Sequence, residues 1–314
     1  MAFTYDSEFA AAVAQAGGPI ELAQAAPGDW QALREQGDVG LAAMMALIPA
    51  MPDVLTKDFE IEGYQGAPIS ARWYYKENPQ AAPAVLYIHG GGMVLGSMEI
   101  YSPAVATIAD GGGVPVLSVD YRLAPEHPHP VPVEDCFAAL TWLHAHAAEL
   151  GVDPARIAVM GDSAGGGLAA GTAILARDRG VPLARQILIY PMLDDRNVVP
   201  DSALVPFVTW TYDDNMTGWG ALLGDRRGTG DVPPSAAPAR ETDYHGLPPA
   251  YIEVGELDIF RDEDIEYAQQ LSRAGVSAEL HVHPGLPHGF EILGALTDVG
   301  LRSRADRMRV LQSF

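Results

Sequence analysis

Gly161-Asp162-Ser163-Ala164-Gly165 lies between the apolar run Ile157-Ala-Val-Met160 and a stretch of small, helix-forming residues. A G-x-S-x-G sequence between a strand and a helix makes Ser163 a candidate nucleophile. A turn this sharp forces the serine into a strained backbone conformation with its Oγ above the sheet, and Gly161 and Gly165 give the two elements room to close. The peptide N–H of Ala164 then falls at a helix N-terminus beside that Oγ, where it can hydrogen-bond an oxygen gaining negative charge. Alone, the pattern equally suits a glycine-rich strand–helix turn with an incidental serine. Other residues shift the balance.

His89-Gly90-Gly91-Gly92-Met93 ends the apolar run Ala84-Val-Leu-Tyr-Ile88. Three glycines leave backbone N–H groups uncovered, so Gly91 and Gly92 join Ala164 as candidate donors to a tetrahedral oxyanion, with Gly90 supporting the turn. His89 reads as a prop for this loop rather than a base. Phosphate binding is disfavoured: no G-x-G-x-x-G with a downstream ribose-binding acid is present, and no P-loop lysine.

Downstream, the apolar strand Ala250–Val254 runs into Gly255-Glu256-Leu-Asp258, a helical segment follows from Asp262 to Arg273, and an alternating strand from Ser277 to His283 leads into Pro284-Gly-Leu-Pro-His288. An acid and a histidine therefore leave consecutive parallel strands at the sheet edge that carries the serine, in the order Ser, Asp, His. His288 would exchange the proton of Ser163, and Asp258 would hold the imidazole tautomer and stabilise its cation. Asp262 and Glu263 compete for the acid role but open the following helix, where carboxylates meet its dipole favourably. Glu256 stays open as the rival acid. The other histidines have plain structural places: His127 and His129 in a proline-rich loop, His144 and His146 in a helix, His245 before a glycine, His281 and His283 alternating along a strand. No H-E-x-x-H or paired-cysteine spacing is present, so no catalytic metal and no cofactor are expected.

With these residues in place, residues 84–290 resemble the bacterial hormone-sensitive-lipase-like esterases of the α/β-hydrolase superfamily. His89-Gly-Gly-Gly is similar to that family's oxyanion motif, Gly161-Asp-Ser-Ala-Gly-Gly to its nucleophile motif, and Tyr121-Arg-Leu-Ala-Pro-Glu-His-Pro to the loop that braces the oxyanion strand. The resemblance implies an α/β-hydrolase fold with a helical cap and hydrolysis of carboxylic esters. It also implies that Glu126 and Asp120 anchor the brace, with Asp162 supporting the nucleophile turn. Two departures, Met93 in place of the family's frequent aromatic residue and Asp258-Ile-Phe in place of Asp-Pro-Leu, bear on the acyl pocket. A serine ester hydrolase acting through an acyl-enzyme on short- to medium-chain esters is the expected activity. An acyltransferase or peptidase with the same triad is the alternative, because motifs report the nucleophile and not the acceptor. A non-catalytic receptor on this fold is disfavoured by His288.

The chain's 314 residues, 48% of them hydrophobic, can bury a large core, and no repeat or low-complexity linker divides them. Two helical patterns, Ser7–Gln15 and one from an Asp29 N-cap to Leu47, precede the alternating segments Lys57–Glu62 and Ile69–Tyr75, an expected antiparallel edge hairpin. From Ala84 on, strands alternate with helices, which predicts a mainly parallel sheet covered on both faces. Residues 194–240 interrupt the rhythm with Phe207, Trp210, Tyr212 and Trp219. They are read as one part of a cap and residues 1–50 as the other, over a core of 51–193 and 241–314, with those aromatics, Leu33, Met44 and Met45 as candidate pocket residues. Cys136, the only cysteine, falls on the stripe Cys136, Leu140, Leu143, Ala147, Leu150 and reads as a buried thiol.

The N-terminus lacks the positive region of a secretion signal, and Leu41–Met51 is broken by Pro49 and too short to span a bilayer, so a cytoplasmic protein is expected. A net charge of −22, with Lys57 and Lys76 the only lysines, repels phosphate backbones and anionic lipid surfaces. The expected partner is a small-molecule ester, with no nucleic acid and no membrane; a homodimer stays open.

Overall fold

The computed structural model describes residues 3–16, 18, 25–76 and 82–314. Two helices come first, α1 (Ser7–Gln15) and α2 (Trp30–Met45), the second capped by Asp29 accepting from the Ala32 N–H at 3.0 Å. β1 (Leu55–Glu62) and β2 (Pro68–Tyr75) form an antiparallel hairpin, Leu55 opposite Tyr75 and Glu62 opposite Pro68. Then follow β3 (Ala82–Ile88), α3 (Met98–Gly112), β4 (Val116–Asp120), α4 (Val131–Ala145), α5 (Ala147–Leu150), β5 (Val152–Asp162), α6 (Ala164–Arg179) and β6 (Arg185–Ile189). α7 (Tyr212–Leu223), β7 (Ala250–Gly255), α8 (Arg261–Arg273), β8 (Ala278–His283), α9 (Phe290–Leu293) and α10 (Asp298–Leu311) complete the chain.

The eight strands make one sheet in the order β1-β2-β4-β3-β5-β6-β7-β8, antiparallel only at the β1–β2 and β2–β4 pairs. This is the α/β-hydrolase fold. Right-handed crossover connections require helices on both faces, so the central strands are buried from both sides and read as unbroken apolar runs, Val85-Leu-Tyr-Ile88 and Ile157-Ala-Val-Met160. Parallel strands also deliver their C-terminal ends, and the loops that leave them, to one edge. β3, β5, β7 and β8 send out His89, Ser163, Asp258 and His288 there in turn.

The 136–150 stripe is interrupted at His146, where the backbone leaves the helical range between α4 and α5; the His146 ring Nδ1 donates to the Trp142 carbonyl at 2.9 Å and the ring stacks on Trp142 at 4.2 Å. Cys136 is buried on α4, and burial pushes its thiol pKa up. Among the described residues no helix is long and apolar enough to cross a membrane.

One core group stands out electrostatically. Asp264 on α8 is fully buried and, among the described residues, neither of its carboxylate oxygens has a hydrogen-bond partner. Burial, with the Glu263 and Asp258 carboxylates nearby, pushes its pKa well above the ordinary value. A raised acid pKa means that stability falls as pH rises past the unfolded-state value of about 3.9. Asp264→Asn is therefore expected to raise Tm at pH 8 by several degrees and to give little gain near pH 4, as followed by calorimetry. An equal gain at both pH values would show that Asp264 does not carry this penalty.

Candidate active site

Ser163 is the N-cap of α6 with φ 55° and ψ −123°, a left-handed conformation that costs a non-glycine residue about 1–3 kcal/mol. The turn is held from outside: the Ser163 N–H donates to the Ile189 carbonyl at 2.8 Å and its own carbonyl accepts from the Met192 N–H at 2.9 Å. Glycine is required on both sides. A Cβ on Gly165 would lie 2.1 Å from the Ile88 carbonyl oxygen, and one on Gly161 would lie 2.2 Å from the Gly165 carbonyl oxygen. Backbone packs on backbone here, so neither neighbour can give way.

Ser163 Oγ is 2.9 Å from His288 Nε2, and His288 Nδ1 is 2.6 Å from Asp258 Oδ2. The other Asp258 oxygen accepts from the Phe260 N–H at 3.0 Å, which fixes the carboxylate plane. The rival acids are committed elsewhere. Glu256 accepts from the Gly285 N–H, Asp262 pairs with Arg261, and Glu263 accepts from the Leu193 and Asp194 N–H groups and from Asn197. Glu263 thus serves the loop after β6 rather than the dipole of its own helix.

The imidazole sits edge-on to Tyr190 and Phe260, ring centroids 4.5 and 5.2 Å away. Burial lowers the His288 pKa, but the Asp258 carboxylate and its hydrogen bond, with Glu291 and Asp162 behind it, raise it by more, and the net result lies above the ordinary 6.5. Asp162 accepts from the Tyr87 and Tyr101 hydroxyls, and burial still pushes its carboxyl up to about 6. Glu291 accepts from the Tyr190 hydroxyl and pairs at 3.5 Å with Arg307, which is also bound to the buried Glu253. Tyr190, itself at φ 35°, Glu291 and Arg307 carry no motif, and sequence reading missed them.

The glycine loop after β3 is folded on itself: the Gly91 carbonyl accepts from both the Val94 and Leu95 N–H groups at 3.0 Å. Gly91 and Gly92 have φ of 107° and 59°, and a Cβ on Gly92 would lie 2.5 Å from the Trp210 ring. Among the described residues the N–H groups of Gly91, Gly92 and Ala164 have no protein acceptor. His89 is buried, its ring Nδ1 at 2.8 Å from the Gly90 carbonyl and stacked on Tyr121 at 4.3 Å, while the Tyr121 hydroxyl donates to the His89 carbonyl. The brace is tied further by Arg122 to Asp135 and by Arg34 to Glu126, which holds the Glu126 carboxyl down to about 2. Asp120 instead accepts from the Met98 N–H at 2.8 Å and so fixes the start of α3.

A cavity of about 330 Å³ opens on Ser163, His288 and Gly91. Leu33, Met44, Met45 and Trp210 line it; Phe207, Tyr212 and Trp219 do not. Trp219 is packed into the core at 1% exposure, Phe207 stands edge-on to Tyr5, and the Tyr212 hydroxyl accepts from the Asp201 N–H, so packing or a backbone bond holds each elsewhere. Of the other histidines, His144 and His146 bond backbone carbonyls, while His245 and His281 bond Asp243 and Glu279. Among the described residues Glu279, His281 and Asp306 bring possible metal ligands within 4.8 Å, but Arg309 already binds both carboxylates.

The sequence profile of a family with the α/β hydrolase fold matches residues 85–292. A carboxylesterase of Mycobacterium tuberculosis, NlhH, is 40% identical over 252 residues, 76% of this chain and 78% of that protein. The esterase LipI of the same species is 39% identical over 249 residues, 77% of each. Among solved structures, a bacterial heroin esterase is 39% identical and superposes with a TM-score of 0.87 over 98% of this chain and 97% of its own.

The acidic surroundings of His288 set a measurable titration. Its pKa is raised, so the charged imidazole adds stability that is present below about 6.5 and lost as pH rises through the folded value, while the neutral ring that can accept a proton exists only above it. An NMR titration of the His288 ring is expected to give a midpoint above 6.5, and Glu291→Gln is expected to move it down. A midpoint at or below 6.5 in the wild type, or no movement in the variant, would overturn this account.

Proposed function

Because the chain belongs to the α/β hydrolase family, we propose that it is a serine carboxylester hydrolase working through an acyl-enzyme. The observation that carries the reading is the unbroken hydrogen-bond chain from Ser163 through His288 to Asp258 at the mouth of an apolar cavity. Ser163 Oγ attacks the ester carbonyl carbon as His288 Nε2 takes its proton, and Asp258 stabilises the resulting imidazolium. The carbonyl oxygen becomes an alkoxide, and the free N–H groups of Gly91, Gly92 and Ala164 take up its charge. Collapse breaks the bond to the alcohol oxygen, which receives the imidazolium proton and leaves. Water, deprotonated by the same imidazole, then attacks the acyl-serine and releases the carboxylic acid with Ser163 restored. No cofactor enters either half.

Residues 1–50 and 194–240 act, in this reading, as two parts of a cap over a core of 51–193 and 241–314. Leu33, Met44 and Met45 from the first and Trp210 from the second meet in the cavity. At about 330 Å³ it is at the small end of ligand pockets, roughly 300–1,000 Å³, which suits short- to medium-chain acyl groups. An acyltransferase shares every step up to the acyl-enzyme, and an added alcohol acceptor separates the two, because hydrolysis partitions to water; a peptidase differs in the bond cleaved and is separated by turnover of an amide substrate.

Ser163→Ala is expected to lower ester hydrolysis on the order of 10⁴-fold with an unchanged fold, and an organophosphate to label Ser163 alone. Asp258→Asn is expected to lower kcat roughly 10⁴-fold through the wrong imidazole tautomer, and Glu256→Gln far less. A label on another serine, or the larger loss at Glu256, would reassign that role. Across p-nitrophenyl esters of increasing chain length, kcat/KM is expected to peak at short to medium acyl groups. A maximum on emulsified triolein would refute the substrate assignment.

A further inference from the structure

Helix α2 does more than cover the cavity. Arg34, Gly37 and Asp38 lie at i, i+3 and i+4 and so share one face. That face lies on the glycine loop. Arg34 Nε donates to the Val94 carbonyl, Nη2 to the Ala124 carbonyl at 2.8 Å, and the guanidinium fork grips both Glu126 oxygens at 2.7 and 2.8 Å. Asp38 Oδ1 accepts from the Gly96 N–H at 2.7 Å. Between them Gly37 has no side chain to hold α2 off: a Cβ there would lie 2.6 Å from Leu95 Cδ2.

The contacts reach the candidate oxyanion donors through short, stiff links. Val94 and Leu95 both donate to the Gly91 carbonyl, and a Cβ on Gly91 would lie 2.2 Å from the Leu95 carbonyl oxygen. Gly96 is pressed against the loop's start, where a Cβ would lie 3.0 Å from both the Gly90 carbonyl and His89 Nδ1. Arg34 and Asp38 thus hold the returning limb of a turn whose outgoing limb presents the Gly91 and Gly92 N–H groups. The turn has no room to adjust on its own.

We propose that Arg34 and Asp38 are positioning residues for the oxyanion hole, acting through residues 94–96 to fix the Gly91 and Gly92 N–H groups where charge develops. The inference rests on the serine-hydrolase reading given above. A donor aimed at the transition state loses most of its value when displaced by a fraction of a bond length, whereas ground-state binding in the apolar cavity is untouched. The loss therefore falls on kcat.

Arg34→Met, which keeps the length of the stem, and Asp38→Ala, which removes a single hydrogen bond, test it separately. Rates are taken per active site titrated with an organophosphate, so misfolded protein does not count. Each variant is expected to lower kcat on p-nitrophenyl butyrate by about 10–100-fold with KM within about twofold, and to weaken a trifluoromethyl ketone transition-state analogue by the same factor. Asp38→Asn, which keeps the acceptor oxygen, is expected to recover most of the loss. A fall in Tm with unchanged kcat per titrated site, or a loss in KM with ketone affinity intact, would overturn the inference. Retained hydrolysis in Ser163→Ala, measured alongside, would instead bring down the reading beneath it.

Discussion

Everything at the C-terminal edge of the sheet depends on one backbone contact, the closing of β5 onto α6 beneath the end of β3. Gly165 passes so close to the Ile88 and His89 carbonyls that a single methyl group could not be accommodated. That contact holds Ser163 in its left-handed conformation and keeps the glycine loop beside the N-terminus of α6. The candidate nucleophile and candidate oxyanion donors, from segments some seventy positions apart, are thereby brought to one point without flexible side chains between them. Such a site is pre-organised: the strain is carried by the sheet and costs nothing further during reaction.

The charges around that point are unevenly compensated. Asp258, Asp162 and Glu291 all favour the His288 cation, the species that the proposed mechanism forms when Ser163 gives up its proton. Arg307 balances the wall behind: burial alone would raise the Glu253 carboxyl, yet Arg307, His283 and Tyr251 hold it down to about 2. The overall charge of −22 acts in the same sense at longer range, repelling a carboxylate product while leaving a neutral ester indifferent. Salt screens the long-range part and hardly touches the buried part.

The helices over the sheet are tied to the site rather than laid upon it. α2 contributes Leu33, Met44 and Met45 to the cavity and Arg34 and Asp38 to the glycine loop from neighbouring turns. From the opposite side Trp210 stands over Gly92, and Gly218 of α7 approaches the Gly92 carbonyl closely enough that a Cβ would lie 2.7 Å away. The same loop is therefore gripped by segments from both ends of the inserted architecture. Movements of either would be felt by the Gly91 and Gly92 N–H groups.

Sequence alone determined whatever is written in local spacing. The alternation of apolar runs with helical periods required a mostly parallel sheet; G-x-S-x-G and H-G-G-G pointed to Ser163 and its candidate donors; and chain order pointed to His288 and to an acid at Asp258 or Glu256. Each of these follows from short local patterns and from their order along the chain. The tertiary structure decided what depends on contact between distant segments. Glu256 was separated from Asp258 only when the Gly285 N–H was seen to occupy it, and Glu263 proved to hold the loop at Leu193 rather than its own helix dipole. Tyr190, Glu291 and Arg307 reach the site from three elements and share no motif, and of the aromatics between 194 and 240 only Trp210 reaches the cavity. Arg34 and Asp38 carry no motif, and their contacts with the glycine loop follow only from the packing of α2 on it. Periodicity fixes which face of a helix is buried, but not what that face meets, because partners are chosen by packing over the whole chain.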